Sequence, residues 1–449
     1  MNRIEKALAN ATQTRALRLG RGVADGVATV FKEQFGERRA LVVADRTTWQ
    51  VAGERVSRLL EAEGVAQDPP YIFDEPEFHA EWKYIDRLEA VLRDTGAIPV
   101  AVGSGTVNDL TKLSSDRTGR RYMIVATAAS MDGYVAFGAS ITKDGCKQTF
   151  PCAAPQAVVA DVDIIATAPT AMTASGYADL FAKVPAGADW ILADALGIEP
   201  IDPLAFGIVQ DGLHDALADP AGARHGDPVA IEKLIEGLLL GGFAMQAYPK
   251  SSRPASGADH QFSHLLNMEN FVMHNGEAPS HGFQVSIGTL VSTASLEFLL
   301  EEGLDGLDVD ACVDAWKTWE ETEKDIRSIF EGKPGHLSRA LKETKEKYVD
   351  RDGLRKQLEA LKAAWPVLSC RIRDQIIPFE TLRENLRLVG APYEPEMIGV
   401  SRDRLRATLA CIPYMRSRFT NIDVVFRCGL LPALDRKLFG QGGIWEINM

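Results

Sequence analysis

The amino-acid sequence predicts a two-part α/β architecture, in which a nucleotide-binding half built on a parallel sheet precedes an all-α half. Three observations predict it. Over roughly the first 165 residues, short β-branched runs alternate with helical patterns, as a parallel sheet covered by helices requires. A glycine-containing turn, Gly103-Ser104-Gly105, follows directly on an apolar strand. Beyond Pro169 the β-branched runs nearly vanish and apolar residues recur at spacings of three and four. The expected division is therefore 1–168 for the nucleotide-binding domain and 169–449 for the helical one.

Taken in order, the expected strands are Ala40–Ala44, Ile98–Val102, Tyr122–Ala126 and Val158–Ala166, with a short one at the YIF of residues 71–73. Helical patterns occupy the stretches near Trp49–Gly64 and Glu81–Thr95, and another helix is expected from Val107. In the second half, Ile231–Ala244 and Phe283–Glu301 repeat apolar residues with the helical period. The segment Trp316–Leu361 is dense in Lys and Glu and reads as a pair of solvated helices broken at Pro334–Gly335.

Composition narrows the function. Of 449 residues, 46% are hydrophobic and 25% charged, a globular balance with ample core. Sixty-two acidic against 49 basic side chains leave a formal charge of −13, which repels phosphate backbones and argues against a nucleic-acid partner. An anionic small molecule would have to be drawn in by local groups. The six cysteines form no CxxC pair and are expected to be free thiols in a reducing compartment. The polar start lacks a signal-peptide core, and the longest apolar run, Leu238–Met245, is far shorter than a membrane span, so a cytoplasmic protein without membrane attachment is expected.

The turn Gly103-Ser104-Gly105-Thr106-Val107 combines backbone N–H groups that approach a diphosphate with the positive end of a helix. Its spacing is not GxGxxG and it follows a late strand, so an ordinary Rossmann domain matches poorly. Asp45, at the end of Ala40–Ala44, lies where α/β sheets bind ligands; it suits a ribose hydroxyl, and equally a helix cap. Thr127-Ala128-Ala129-Ser130-Met131-Asp132-Gly133 forms a third edge segment whose small residues admit a planar ring or simply make a turn.

His260 and His264 stand four apart, so a helix presents both on one face, and His281 follows at the expected start of the next long helix. Asp179 lies upstream in the first helix after Pro169. One carboxylate and two imidazoles with an open position form the ligand set of a catalytic divalent cation. An isolated HxxxH pair is as readily a polar stripe on a solvated helix face.

Together, GSGTVND, TAASMDG, the SGYADL containing Asp179, SRPASGADHQFSH and the SHG at His281 resemble the glycerol-1-phosphate dehydrogenases. These share a dehydroquinate synthase-like fold with iron-containing alcohol dehydrogenases and glycerol dehydrogenase. The resemblance extends to LVGAPYEPEMIGVSRDRL and the segment 418–423. It implies nucleotide contacts from Asp45, from Gly103, Ser104, Gly105, Thr106 and Val107, and from Thr127, Ala128, Ala129 and Ser130. It implies metal ligation by Asp179, His260 and His281, with His264 and Asp132 facing the substrate and Asp179 touching both. Two departures stand out: Ser104 where relatives often carry glycine, and Ala136 where they commonly carry a serine that contacts the nucleotide.

The implied activity is reversible reduction of dihydroxyacetone phosphate to sn-glycerol 1-phosphate with NADH or NADPH and one divalent metal, Zn, Ni or Fe. His264 is the expected proton donor, ahead of Asp132, because an imidazole passes protons near neutral pH. The alternatives are a polyol dehydrogenase of the same fold and a dehydroquinate synthase-like cyclase, which regenerates its cofactor. The resemblance leaves assembly as a homo-oligomer open.

Overall fold

A computed structural model of the chain describes residues 2–75 and 78–447, so the last two residues of the GQGGIWEINM tail lie outside it. Close contacts divide the chain into two compact units: 1–180 with 204–255 and 388–391, and 181–203 with 256–387 and 392–449. The chain thus passes between units several times instead of once near Pro169.

The first unit is organised by a six-stranded, all-parallel sheet of β1 (Ala16–Gly20), β2 (Ala40–Asp45), β3 (Tyr71–Phe73), β4 (Ile98–Gly103), β5 (Met123–Ala126) and β8 (Ala157–Asp161), in the order β1-β8-β5-β4-β2-β3. β4, β5 and β8 are buried along their whole length, and β2 everywhere but Asp45, which explains their unbroken apolar character in the sequence. The chain leaves β2 toward β3 on one side and returns as β4 on the other. That reversal opens a crevice at the carboxyl ends of β2 and β4, where doubly wound sheets take their ligands.

Two expectations are corrected. Val158–Ala166 is not one strand: β8 stops at Asp161, whose carboxylate accepts from the N–H groups of Gly22, Ala24 and Asp163 and starts the short helix Val162–Ile165. Trp316–Leu361 is not a solvated pair: it contributes to three helices, Trp319–Ile329, Pro334–Lys347 and Arg351–Gln375, with Pro334 at the first turn of the second. Each buries a stripe, among them Ile326, Ala340 and Leu358, while most of its Lys and Glu face outward; Lys347 instead turns in to Asp423. Also unforeseen are β1 and the hairpin of β6 (Ala139–Lys143) and β7 (Cys146–Phe150). Asp144 and Gly145 both adopt positive φ at its turn, the conformation for which an Asp-Gly pair is the sequence signal.

In the second unit the central elements are the helices Lys183–Ala195, Ala258–Met268 and His281–Glu302. The last is 22 residues long and apolar enough to cross a bilayer, but 83% of its most apolar window is buried inside the protein, which makes it a core helix. It crosses Ala258–Met268 so closely that a Cβ on Gly288 would lie 2.1 Å from the carbonyl oxygen of Asp259.

Candidate functional site

The nucleotide-facing candidates all belong to the first unit. β4 ends in Gly103, where a Cβ would sit 2.6 Å from Val107, so only glycine lets the following helix, Gly105–Arg117, fold back against its strand. Ser104 occupies the helix N-cap with φ −96°, a backbone shape open to any residue, which removes the difficulty of a serine at this place. Its side chain makes no capping hydrogen bond, so it does not occupy the first N–H groups of this 13-residue helix, the kind of site where anions bind. Thr127 follows β5 and is tied to this turn by its N–H, which donates to the Gly103 carbonyl at 3.1 Å. Ala128 and Ala129 are buried, and Ser130 is half-buried.

Asp45 does act as a helix cap: its Oδ1 accepts from the Thr48 N–H at 2.8 Å, and Thr48 Oγ1 accepts in return from the Asp45 N–H. A cap of this kind engages one carboxylate oxygen and leaves the ribose role open.

Lys112, which sequence reasoning passed over, organises the same region. It is fully buried, and its Nζ donates to the carbonyls of Gly133, Ala136 and Gly138 at 2.8, 3.0 and 3.1 Å, with Asp109 3.6 Å away. The loop that carries Ala136 is therefore tied through its backbone to the helix behind the phosphate turn. The available signal was a lysine three residues after an aspartate on an otherwise small-residue helix.

Asp179 is fully buried on the helix Thr170–Phe181, and its Oδ2 accepts from the Asp132 N–H at 3.0 Å. One turn earlier, Gly176 packs against the edge segment; a Cβ there would lie 1.9 Å from the Ala129 carbonyl oxygen. Thus two expected substrate-facing carboxylate residues, Asp132 and Asp179, are brought together in this unit.

The imidazoles belong to the second unit. Asp189, fully buried, accepts from the Ala258 N–H at 2.8 Å and from both nitrogens of Asn421 at 2.7 Å, which fixes the start of the helix Ala258–Met268. Within its first turn Asp259 accepts from the Gly257 N–H through Oδ1 and engages Nδ1 of His260 through Oδ2. His281 opens the next long helix, whose cap is Ser280, and its Nδ1 faces Ser263 Oγ at 3.4 Å. The His260 and His281 rings stand edge to face with centroids 5.3 Å apart.

A carboxylate at Nδ1 holds the ring proton there and leaves Nε2 to a metal, and a hydroxyl at Nδ1 orients the ring in the same way, the usual arrangement behind metal-binding histidines. Two imidazoles so oriented suit a divalent cation, and the buried carboxylate of Asp179 in the first unit is a ligand type that such cations take. His264, one turn beyond His260, is held well below the usual histidine range by burial first and then by the charge of Arg416, so its ring is neutral at physiological pH. Sequence reasoning missed Asp259, Ser263 and Arg416.

Known proteins bear on this arrangement. The family model for iron-containing alcohol dehydrogenases matches residues 18–169. A glycerol-1-phosphate dehydrogenase [NAD(P)+] from Halalkalibacterium halodurans is 32% identical over 286 residues, 62% of this chain and 69% of that one. The enzyme of that name from Pyrococcus furiosus is 33% identical over 62% of this chain and 77% of its own. That from Bacillus licheniformis is 28% identical over 92% and 89%. Among solved structures, glycerol dehydrogenase from Schizosaccharomyces pombe aligns with TM-score 0.59 at 16% identity, covering 95% of this chain and 91% of that one. An iron-containing alcohol dehydrogenase from Thermococcus thioreducens aligns with TM-score 0.60 at 13% identity, over 94% and 98%. At such identities the structures bear on the fold alone, which is the α/β and helical arrangement expected for this group. The sequence relatives go further, and with them the chain belongs to the glycerol-1-phosphate dehydrogenase family.

Proposed function

We propose that this chain catalyses the reversible, NAD(P)H-dependent and divalent-metal-dependent reduction of dihydroxyacetone phosphate to sn-glycerol 1-phosphate. Family membership supports the activity. The observation that carries the chemistry is the pair of imidazoles His260 and His281, each oriented from behind at Nδ1 within the second unit, to which the family resemblance adds the buried carboxylate of Asp179.

In this reading the phosphate turn Gly103–Val107 binds the dinucleotide diphosphate through helix N–H groups, and Asp45 accepts from a ribose hydroxyl. Thr127–Ser130 present small side chains and backbone to the nicotinamide, and Ala136 lies in the loop that Lys112 fixes. Asp179, His260 and His281 would hold the metal, which supplies Lewis-acid polarisation of the substrate carbonyl oxygen. His264, neutral through burial, donates a ring N–H hydrogen bond to that oxygen as alkoxide charge develops, and relays a proton to it as its other ring nitrogen takes one up from water. Asp132 orients the substrate through its hydroxyl. The reaction is placed in the cytoplasm, a reading supported by the thiols of Cys152, Cys312, Cys370, Cys411 and Cys428, all unbridged.

The test is NAD(P)H oxidation with dihydroxyacetone phosphate after metal stripping and re-addition of Zn, Ni or Fe(II). Turnover that requires metal and prefers the phosphorylated ketone is expected. Preference for free dihydroxyacetone would make the chain a polyol dehydrogenase, and the absence of net oxidised cofactor would point to cyclase chemistry.

A further inference from the structure

A protein with a formal charge of −13 needs local cations to hold a phosphorylated ketone. The second unit gathers two of them beside His264. The helices Ala258–Met268 and Pro334–Lys347 and the turn Ile412–Tyr414 share a small core that includes Leu265, Ala340 and Met415. Thr344 Oγ1 donates to the Tyr414 carbonyl at 3.0 Å, and the Ser417 N–H donates to Glu343 Oε2 at 2.8 Å. Arg416 lies between these two anchors. Arg339 reaches across so that its Nη1 is 3.8 Å from Met268 Sδ, one turn past His264 on the same helix face.

The electrostatics of this cluster are incomplete. Arg416 is half-buried, yet it donates no hydrogen bond and forms no ion pair among the described residues. Arg339 has only Glu343, 3.5 Å away, and the two guanidinium groups repel one another. A guanidinium carries five N–H donors, and withdrawing it from water without an acceptor is unfavourable. Burial and the neighbouring Arg339 lower the affinity of Arg416 for its proton, and Glu343, the one carboxylate that two guanidinium groups share, offsets this only in part. What restores the balance is an anion with several oxygens, and planar, forked donors suit a phosphate best.

We propose that Arg416, backed by Arg339, is the subsite for the substrate phosphate beside His264, and that it distinguishes dihydroxyacetone phosphate from the unphosphorylated ketone. The proposal rests on the functional reading above for the identity of the substrate, but the cluster itself is independent of it. An Arg416-to-phosphate contact also fixes the polarity of the substrate, carbonyl toward the imidazoles and phosphate toward the turn at Ile412–Tyr414.

The test uses metal-loaded enzyme with Arg416→Ala and Arg416→Lys. The ratio of kcat/KM for dihydroxyacetone phosphate over dihydroxyacetone is expected to fall about 10- to 100-fold in Arg416→Ala, as loss of a charge-assisted hydrogen bond implies. Inhibition by inorganic phosphate weakens in parallel, and Arg416→Lys recovers part of both. The ligand-free melting temperature of Arg416→Ala stays close to wild type, because one of two mutually repelling guanidinium groups is removed and Glu343 keeps Arg339 as its partner. A ratio and a phosphate inhibition constant within twofold of wild type in folded Arg416→Ala overturn the subsite. If wild type does not reduce dihydroxyacetone phosphate at all, the functional reading fails. Thermal stabilisation by inorganic phosphate, present in wild type and lost in Arg416→Ala, then still decides the subsite, and its absence from wild type overturns it.

Discussion

Asp259 offers a sharp test of the metal centre because it acts only through a neighbour. Its buried carboxylate engages Nδ1 of His260 and accepts from the Gly257 N–H at 3.0 Å. Asp259→Asn keeps the volume and an acceptor but removes the charge, replacing a charge-assisted bond of about 1.5–3 kcal/mol by a neutral one of about 0.5–1.5 kcal/mol. The difference, about 1–1.5 kcal/mol, corresponds to roughly tenfold weaker metal binding. Asp259→Ala removes the contact outright and is expected to weaken binding by about 100-fold, the upper end for partners of metal-bound histidines. Zn(II) affinity measured by competition with a chromophoric chelator, beside a melting curve to confirm folding, reads both effects. If both variants bind within twofold of wild type while His260→Ala loses the ion, Asp259 does not orient the ligand.

His264 and His260 should separate cleanly. His264→Ala retains metal by elemental analysis but loses about 10²- to 10⁴-fold in kcat, whereas His260→Ala empties the site; metal loss in both would mean that the helix supplies two ligands. Asp45→Ser preserves a cap on Thr48 while removing the carboxylate, so relative use of NADPH rises; an unchanged ratio of kcat/KM for the two cofactors would leave Asp45 a cap alone. Gly176→Ala drives a methyl into the Ala129 carbonyl, and backbone cannot yield as a side chain does, so about 1–3 kcal/mol of stability is lost. An unshifted urea midpoint would refute that close packing.

The parts of this molecule legible in the sequence are those governed by short-range periodicity. The four-residue spacing of His260 and His264 and the placement of His281 at a helix start follow from one turn of helix, and both are present. The apolar runs of β2, β4 and β5 announce strands covered on both faces. Val158–Ala166 misled because apolar character is shared by a buried strand and the short buried helix that follows; the capping carboxylate of Asp161 decides between them. Long-range pairings were not legible. Nothing near Ser263 in sequence indicates that its hydroxyl meets His281, and nothing near Met415 indicates that Arg416 and Arg339 converge. Lys112 looks like a solvated helix residue until the loop at 133–138 wraps its ammonium.

That loop has a consequence for how the family can vary. Lys112 grips three main-chain carbonyls and none of the loop's own side chains, so the chain at Gly133, Ala136 and Gly138 is anchored through backbone atoms. Gly138, with φ +82°, and the buried Tyr134 and Val135 keep requirements of their own, but at Ala136 the hold of the lysine does not depend on the side chain. Ala136, which the resemblance sets against a serine that would contact the nucleotide, is the case in point: the hydroxyl is absent and the hold of Lys112 remains. Variation at position 136 can therefore alter what the loop displays while the lysine behind it still fixes the main chain.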